Sequence, residues 1–276
     1  MRRWHRHLLP VPPFRVRQRK ARRMARQLIL WLPKKGKTAA AIVLAAKLQG
    51  CRQSDRCGSA ACPVCATAAQ ENYAKALRAM ISTKPSDGTV FTLTLVTEAE
   101  MKAVGDLSSY DPLNHKRRLR RQLAELGISW AAGGVDISLN EHQQQRYVPF
   151  WMPHVYLMGV TTDIEALRKQ LRGLFPATDR IPRPALLNVF KGGRRASLYA
   201  LKPDFNRRVG KDDDVRTVRR TGALRLCRAT SKQRLRSAER LELRLFLDGL
   251  TIPARFITLR CQVHQCQQSY SIRLAP

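Results

Sequence analysis

With 276 residues, 51 of them Lys or Arg and only 20 Asp or Glu, the chain carries a formal charge of +31. A pI near 11.1 attracts polyanions through phosphate neutralisation, so nucleic acid is the expected partner. The longest apolar run, TAAAIVLAAKL at 38–48, is too short to span a bilayer and contains Lys47, which argues against a membrane protein.

In chain order, residues 1–37 hold no Asp or Glu and have prolines at 10, 12 and 13. They read as a basic arm, disordered or partly helical until it meets a phosphate backbone. The GKT at 36–38 is not a phosphate-binding loop, because the glycine required five positions before Gly36 is Trp31. The stretch CRQSDRCGSAACPVC, 51–65, gathers Cys51, Cys57, Cys62 and Cys65. Four thiolates suit a closed, structural zinc site. Such a cluster in a chain with seven cysteines fits a reducing cytosol better than a disulfide framework, which gives a cytoplasmic expectation. Ala69, Tyr73, Leu77 and Met80 then recur at helical spacing and predict a helix over 66–82. After a KPSDG turn, TVFTLTLVT at 89–97 alternates as a strand, with Phe91, Leu93 and Leu95 on one face.

The segment 111–127 predicts a second helix, with Leu113, Leu119, Leu123 and Leu126 as its apolar stripe. Lys116, Arg117, Arg118, Arg120 and Arg121 cover much of the rest, either as a solvated face or as a surface for a DNA backbone. Two apolar runs, 133–141 and 153–160, joined by a polar loop, predict an antiparallel hairpin. Asp136 shares a face with Ser138, and His154 shares one with Tyr156 and Met158. If those faces coincide, a carboxylate and an imidazole meet and form an open site for Mg²⁺ or Mn²⁺ that polarises a phosphate. Residues 161–175 read as a helix with Thr162 and Glu165 as a capping box, and 184–192 as a short strand. A helix over 194–205, stopped by Pro203, sets Tyr199 and Lys202 on one face. A tyrosine oxygen can attack phosphorus, a nearby ammonium can steady the developing charge, and Arg194 and Arg195 can grip the backbone. The basic remainder holds a helix near 235–247 and strands at 254–261 and 270–274. Cys227, Cys261, His264 and Cys266 read as unlinked rather than as a second metal site. The irregular mixture favours an α+β fold around an antiparallel sheet with flanking helices.

The order of these motifs resembles that of the rolling-circle replication initiators of small plasmids, within the HUH endonuclease class. The resemblance covers roughly 51–205: a cysteine cluster, FTLTLV, an acidic strand residue at Asp136, PHVY at 153–156, and a YxxK at Tyr199 and Lys202. It implies a compact antiparallel palm at 83–210, preceded by an arm at 1–45 and a cysteine module with its helix at 46–82, and followed by a basic extension at 211–276. It further implies nicking and rejoining of single-stranded origin DNA through a 5′-phosphotyrosine at Tyr199, with Mg²⁺ or Mn²⁺ held at His154 and Asp136. A polymerase and a host helicase are the protein partners such a reaction implies. The second histidine of the family's motif is Tyr156 here. Rival readings are a DNA-binding protein on the same scaffold that no longer nicks, and a basic zinc-containing RNA-binding protein.

Overall fold

The computed structural model describes residues 12–35, 38–217, 224–266 and 269–275. Helix α1 (Phe14–Lys35) buries Ala21, Ala25 and Leu28, an i, i+4, i+7 stripe, against α2 (Ala39–Gly50) and α3 (Pro63–Ser82). Over Phe14–Lys35 the basic N-terminal segment is therefore a packed helix rather than a free arm, its small apolar stripe hidden among the cations; positions 1–11 of the expected arm lie outside the described residues. Thr38 caps α2 by accepting from the Ala41 amide, and Pro63 opens α3 at a position where its missing N–H costs nothing.

Strand β1 (Thr89–Val96) buries Phe91, Leu93 and Leu95. A two-residue strand β2 (Lys102–Ala103) precedes α4 (Pro112–Ala124), which Asp111 caps. The predicted hairpin is present and longer than expected: β3 (Ile128–His142) pairs antiparallel with β4 (Phe150–Thr161), and Asp136 lies directly opposite His154. Helix α5 (Ile164–Leu174) is capped by Asp163, one residue later than the predicted Thr162, because the Asp163 carboxylate reaches two amides, Glu165 and Ala166. Then follow β5 (Ala185–Val189), α6 (Arg194–Tyr199), β6 (Arg207–Thr217), β7 (Leu224–Gln233), α7 (Ser237–Asp248), β8 (Phe256–Leu259), β9 (Cys261–Cys266) and β10 (Ser269–Leu274).

Among the described residues the main sheet has eight strands, with central order β5-β1-β4-β3-β6-β7, β2 added to β4 and β8 to β3. It is mixed rather than purely antiparallel, because β6 runs parallel to the end of β3. The boundary expected at 210 falls inside β6, and β8 from the expected extension completes the sheet on β3. The fold is thus α+β, with helices around a mixed sheet.

The outer edge of β3 is shared: β8 pairs with residues 131–134 and β6 with 139–142. Between them the outward groups need other partners, since buried backbone polar atoms left unpaired are costly. Arg255 donates to the Val135 carbonyl through Nε and Nη2, at 3.4 and 3.2 Å, and the Ile137 amide donates to Asp136 Oδ1 at 2.8 Å. That gap in the ladder is where the candidate site lies.

Candidate functional site

Asp136 and His154 stand on neighbouring strands, both nearly inaccessible, with Oδ2 and Nε2 3.0 Å apart. His154 Nδ1 lies 3.0 Å from the Met152 carbonyl. A carbonyl only accepts, so Nδ1 carries a proton and Nε2 faces the carboxylate. Neither Nε2 nor Oδ2 has an aligned hydrogen-bond partner. A ring nitrogen and a carboxylate oxygen held 3.0 Å apart in a buried place need a positive charge close by. Two ligands at right angles around Mg²⁺, each about 2.1 Å away, would also stand about 3.0 Å apart, although Mg²⁺ prefers oxygen to imidazole nitrogen.

A third group competes for the same oxygen. Lys202 Nζ lies 2.6 Å from Asp136 Oδ2. Burial alone would raise the Asp136 carboxyl, but the Lys202 ammonium and His154 outweigh it and hold the group well below the usual carboxylate range. Lys202 reaches the site differently from the expected helix. α6 ends at Tyr199, and Lys202 lies in the turn beyond it, because Pro203 stops the helix from continuing. Arg255 Nη2 donates to the Lys202 carbonyl at 2.9 Å, fixing that turn on the sheet. Its guanidinium also lies over the Phe205 ring, 5.2 Å from the centroid.

Gly134 makes the close approach possible. A Cβ there would come within 2.4 Å of the Ala200 carbonyl oxygen, so any side chain would lift the end of α6 off the sheet. From the other side, Gln70 of α3 donates to the Leu198 carbonyl at 2.8 Å, and Tyr73 donates to the Gly133 carbonyl at 2.8 Å. Tyr199 is only partly buried, and its ring lies 5.0 Å from the Lys202 ammonium.

Tyr156 meets Tyr199 edge to face, with centroids 4.9 Å apart. Burial pushes its hydroxyl above the ordinary tyrosine range; Thr92 offsets part of that, without an aligned hydrogen bond. A phenol kept protonated is a poor ligand for Mg²⁺, so Tyr156 acts as the wall behind Tyr199.

The four sulfurs of Cys51, Cys57, Cys62 and Cys65 all lie within 4.8 Å of one another. Cys65 is 3.6 Å from Cys51 and 3.7 Å from Cys57. Tetrahedral zinc with Zn–S bonds of about 2.3 Å sets sulfurs about 3.8 Å apart, so the cluster is able to bind a metal such as zinc. Hydrogen bonds from Cys62, then Cys65, hold the Cys57 thiol far below its usual range, and the same contacts push Cys62 and Cys65 up. The other cysteines do not converge: Cys261 is buried and donates to the Ala131 carbonyl, while His264 and Cys266 are exposed on the opposite face of β9. The Cys227 side chain lies outside the described residues.

No family model, curated protein or solved structure matches the chain.

The expected basic face of α4 divides. Arg118 pairs with Glu100, and Arg120 donates to the carbonyl and hydroxyl of Thr258 at 2.9 and 3.0 Å. Lys116, also on that face, is buried and donates to the Ala254 carbonyl at 2.7 Å. These three hold α4 to the protein, whereas Arg117 and Arg121 are exposed. Leu113, expected in the apolar stripe, is 53% exposed. Arg194 and Arg195 are exposed at the start of α6, with Arg194 4.0 Å from Glu71. Sequence reasoning missed Arg255 and Gln70: one sits at the edge of a strand-like run, the other inside a helix, and neither belongs to a motif.

Proposed function

We propose that the protein nicks and rejoins single-stranded DNA through Tyr199, as an initiator of plasmid or phage rolling-circle replication. The observation that supports this most is convergence. Asp136, His154, Tyr199 and Lys202 come from β3, β4, α6 and the turn after it, and adjoin one another around one gap in the sheet. In this reading the Tyr199 oxygen attacks phosphorus, the O3′–P bond breaks, and a 5′-phosphotyrosine and a 3′ hydroxyl result. The Lys202 ammonium, beside the tyrosine ring, offsets charge on the phosphate oxygens. Tyr156 and the Gln70 contact to Leu198 orient α6. A divalent ion at His154 Nε2 and Asp136 Oδ2 would polarise the phosphate. Zinc at the four cysteines would be structural, its four ligands leaving no open position. A cytoplasmic location and assistance from a host helicase and polymerase belong to the same reading.

One observation favours a second reading, a DNA-binding protein that does not nick. Lys202 already neutralises the carboxylate that an ion would need, and Tyr156 stands in place of a second histidine. Incubation with a labelled single-stranded origin fragment and Mn²⁺, followed by a denaturing gel, separates the two. Nicking predicts a protein-linked band that disappears in Tyr199→Phe; binding alone predicts a mobility shift in native gels and no linked band.

A further inference from the structure

A groove of about 1020 Å³ opens beside the site, bounded by α1, the segment 203–206, the β6–β7 hairpin and α7. Seven cations line it: six fall in three pairs and the seventh is Arg234. Lys20 and Arg23 are three apart on α1, Arg240 and Arg244 four apart on α7, and Arg208 and Lys232 face each other across β6 and β7. Like charges at such spacings are destabilising on a helix and across a sheet. The groove has Asp204 as its acidic lining residue, and that carboxylate already pairs with Lys20 at 2.5 Å. Arg244 Nη1 is buried without a hydrogen-bond partner. Burial and then Arg240 lower the Arg244 guanidinium to about 10; burial, then Lys202 and Arg208, lower Lys232. The influence of Lys202 also places this wall of the groove within electrostatic reach of the Asp136 site.

We propose that this groove binds the phosphodiester backbone of a single strand and holds the nucleotides that flank the Tyr199 site. Cations from three separate elements suit an extended polyanion better than one compact anion. Phe205 also lines the groove, but it is half-buried with Arg255 over its ring, so the cations carry the proposal. The inference rests on the nicking reading only for which phosphate lies at Tyr199; backbone binding stands without it.

Fluorescence anisotropy of the full chain with a fluorescein-labelled deoxythymidylate 20-mer, over a range of KCl concentrations, tests it. Lys20→Gln/Arg23→Gln alters exposed positions that do not threaten folding; Arg23→Gln/Arg244→Gln adds the inner wall. Each removes two cations, so log K against log[salt] should become shallower by about 1.4, with at least tenfold weaker binding at low salt. Lys169→Gln/Arg172→Gln, the same charge loss on α5, should stay within threefold of the parent with its slope unchanged. Groove variants that keep the parent slope, or an α5 variant that loses as much, would overturn the proposal. A uridylate 20-mer run in parallel reports whether the backbone taken is DNA, RNA or both; failure to bind either overturns it. Because the readout is binding, loss of the Tyr199 adduct with the slope change intact rejects nicking alone.

Discussion

Asp136 is a lone carboxylate facing Lys202 and influenced by Arg255, itself fully enclosed and lowered to about 10 by burial. Asp136→Asn would leave buried cations without their counter-charge, an arrangement that typically costs about 3–5 kcal/mol. Urea denaturation should show that loss, and a change within 1 kcal/mol would contradict the geometry. Tyr156 makes the opposite prediction. Its hydroxyl lacks an aligned partner, so Tyr156→Phe should be neutral or stabilising by up to about 1 kcal/mol and should retain adduct formation. If Tyr156 were instead a metal ligand, the same variant would lose Mn²⁺-dependent adduct. His115 sets a pH dependence. It is buried, with Nδ1 2.8 Å from the Tyr110 hydroxyl, while the neighbouring Glu100 is engaged by Arg118. Burial, then His154, lowers it from 6.5 to about 4. The unfolded chain binds this proton first, so the contribution is complete above pH 6.5 and is lost as pH falls toward 4. Stability should fall by about 3 kcal/mol over that window, and His115→Gln should flatten this part of the profile in urea titrations.

The elements explain why some of the site could be read from the chain and some could not. Alternation by two put Asp136 and His154 on matching faces, and the hairpin fixed their register, so this pair was legible. The YxxK spacing suggested the right two residues for the wrong local reason: Lys202 meets Tyr199 through a turn clamped by Arg255, not along a helix face. The β6–β7 hairpin, dense in charge, showed no apolar alternation and went unread. Helix α3 ties the cysteine cluster to the site. It begins at Cys62 and Cys65 and carries Gln70 and Tyr73, which hold Leu198 and Gly133. Metal removal should therefore weaken more than the cysteine loop. Chelation, or Cys62→Ser, should lower the melting temperature and also reduce adduct yield, while cobalt loading should give thiolate charge-transfer bands that the variant lacks. A chelated protein with full adduct yield would show that the loop and the site are independent. Gly134→Ala should lift α6 and cost about 1–3 kcal/mol, with loss of adduct exceeding loss of folded protein.

At the scale of the whole molecule, the charge of +31 is distributed between two uses. Arg255, Lys116, Arg118 and Arg120 tie elements of the protein together, and the pairs on α1, α7 and the β6–β7 hairpin, Lys20 with its Asp204 contact among them, face a common groove. Composition alone could not separate these placements, because packing decides which cations gather on one groove. Among the described residues no helix is long and apolar enough to cross a membrane. The described parts of the N-terminal and C-terminal segments that composition set apart as basic appendages pack into the fold: α1 against α2 and α3, and β8 onto β3. The central claim is that one phenolic oxygen among these elements becomes joined to DNA. Mass spectrometry of a protease digest, after reaction with a single-stranded origin fragment and Mn²⁺, tests it most directly. The account predicts a phosphodeoxynucleotide on the peptide containing Tyr199 and on no other tyrosine peptide. A modified peptide lacking Tyr199, or an unmodified digest from protein that had bound the strand, would contradict it.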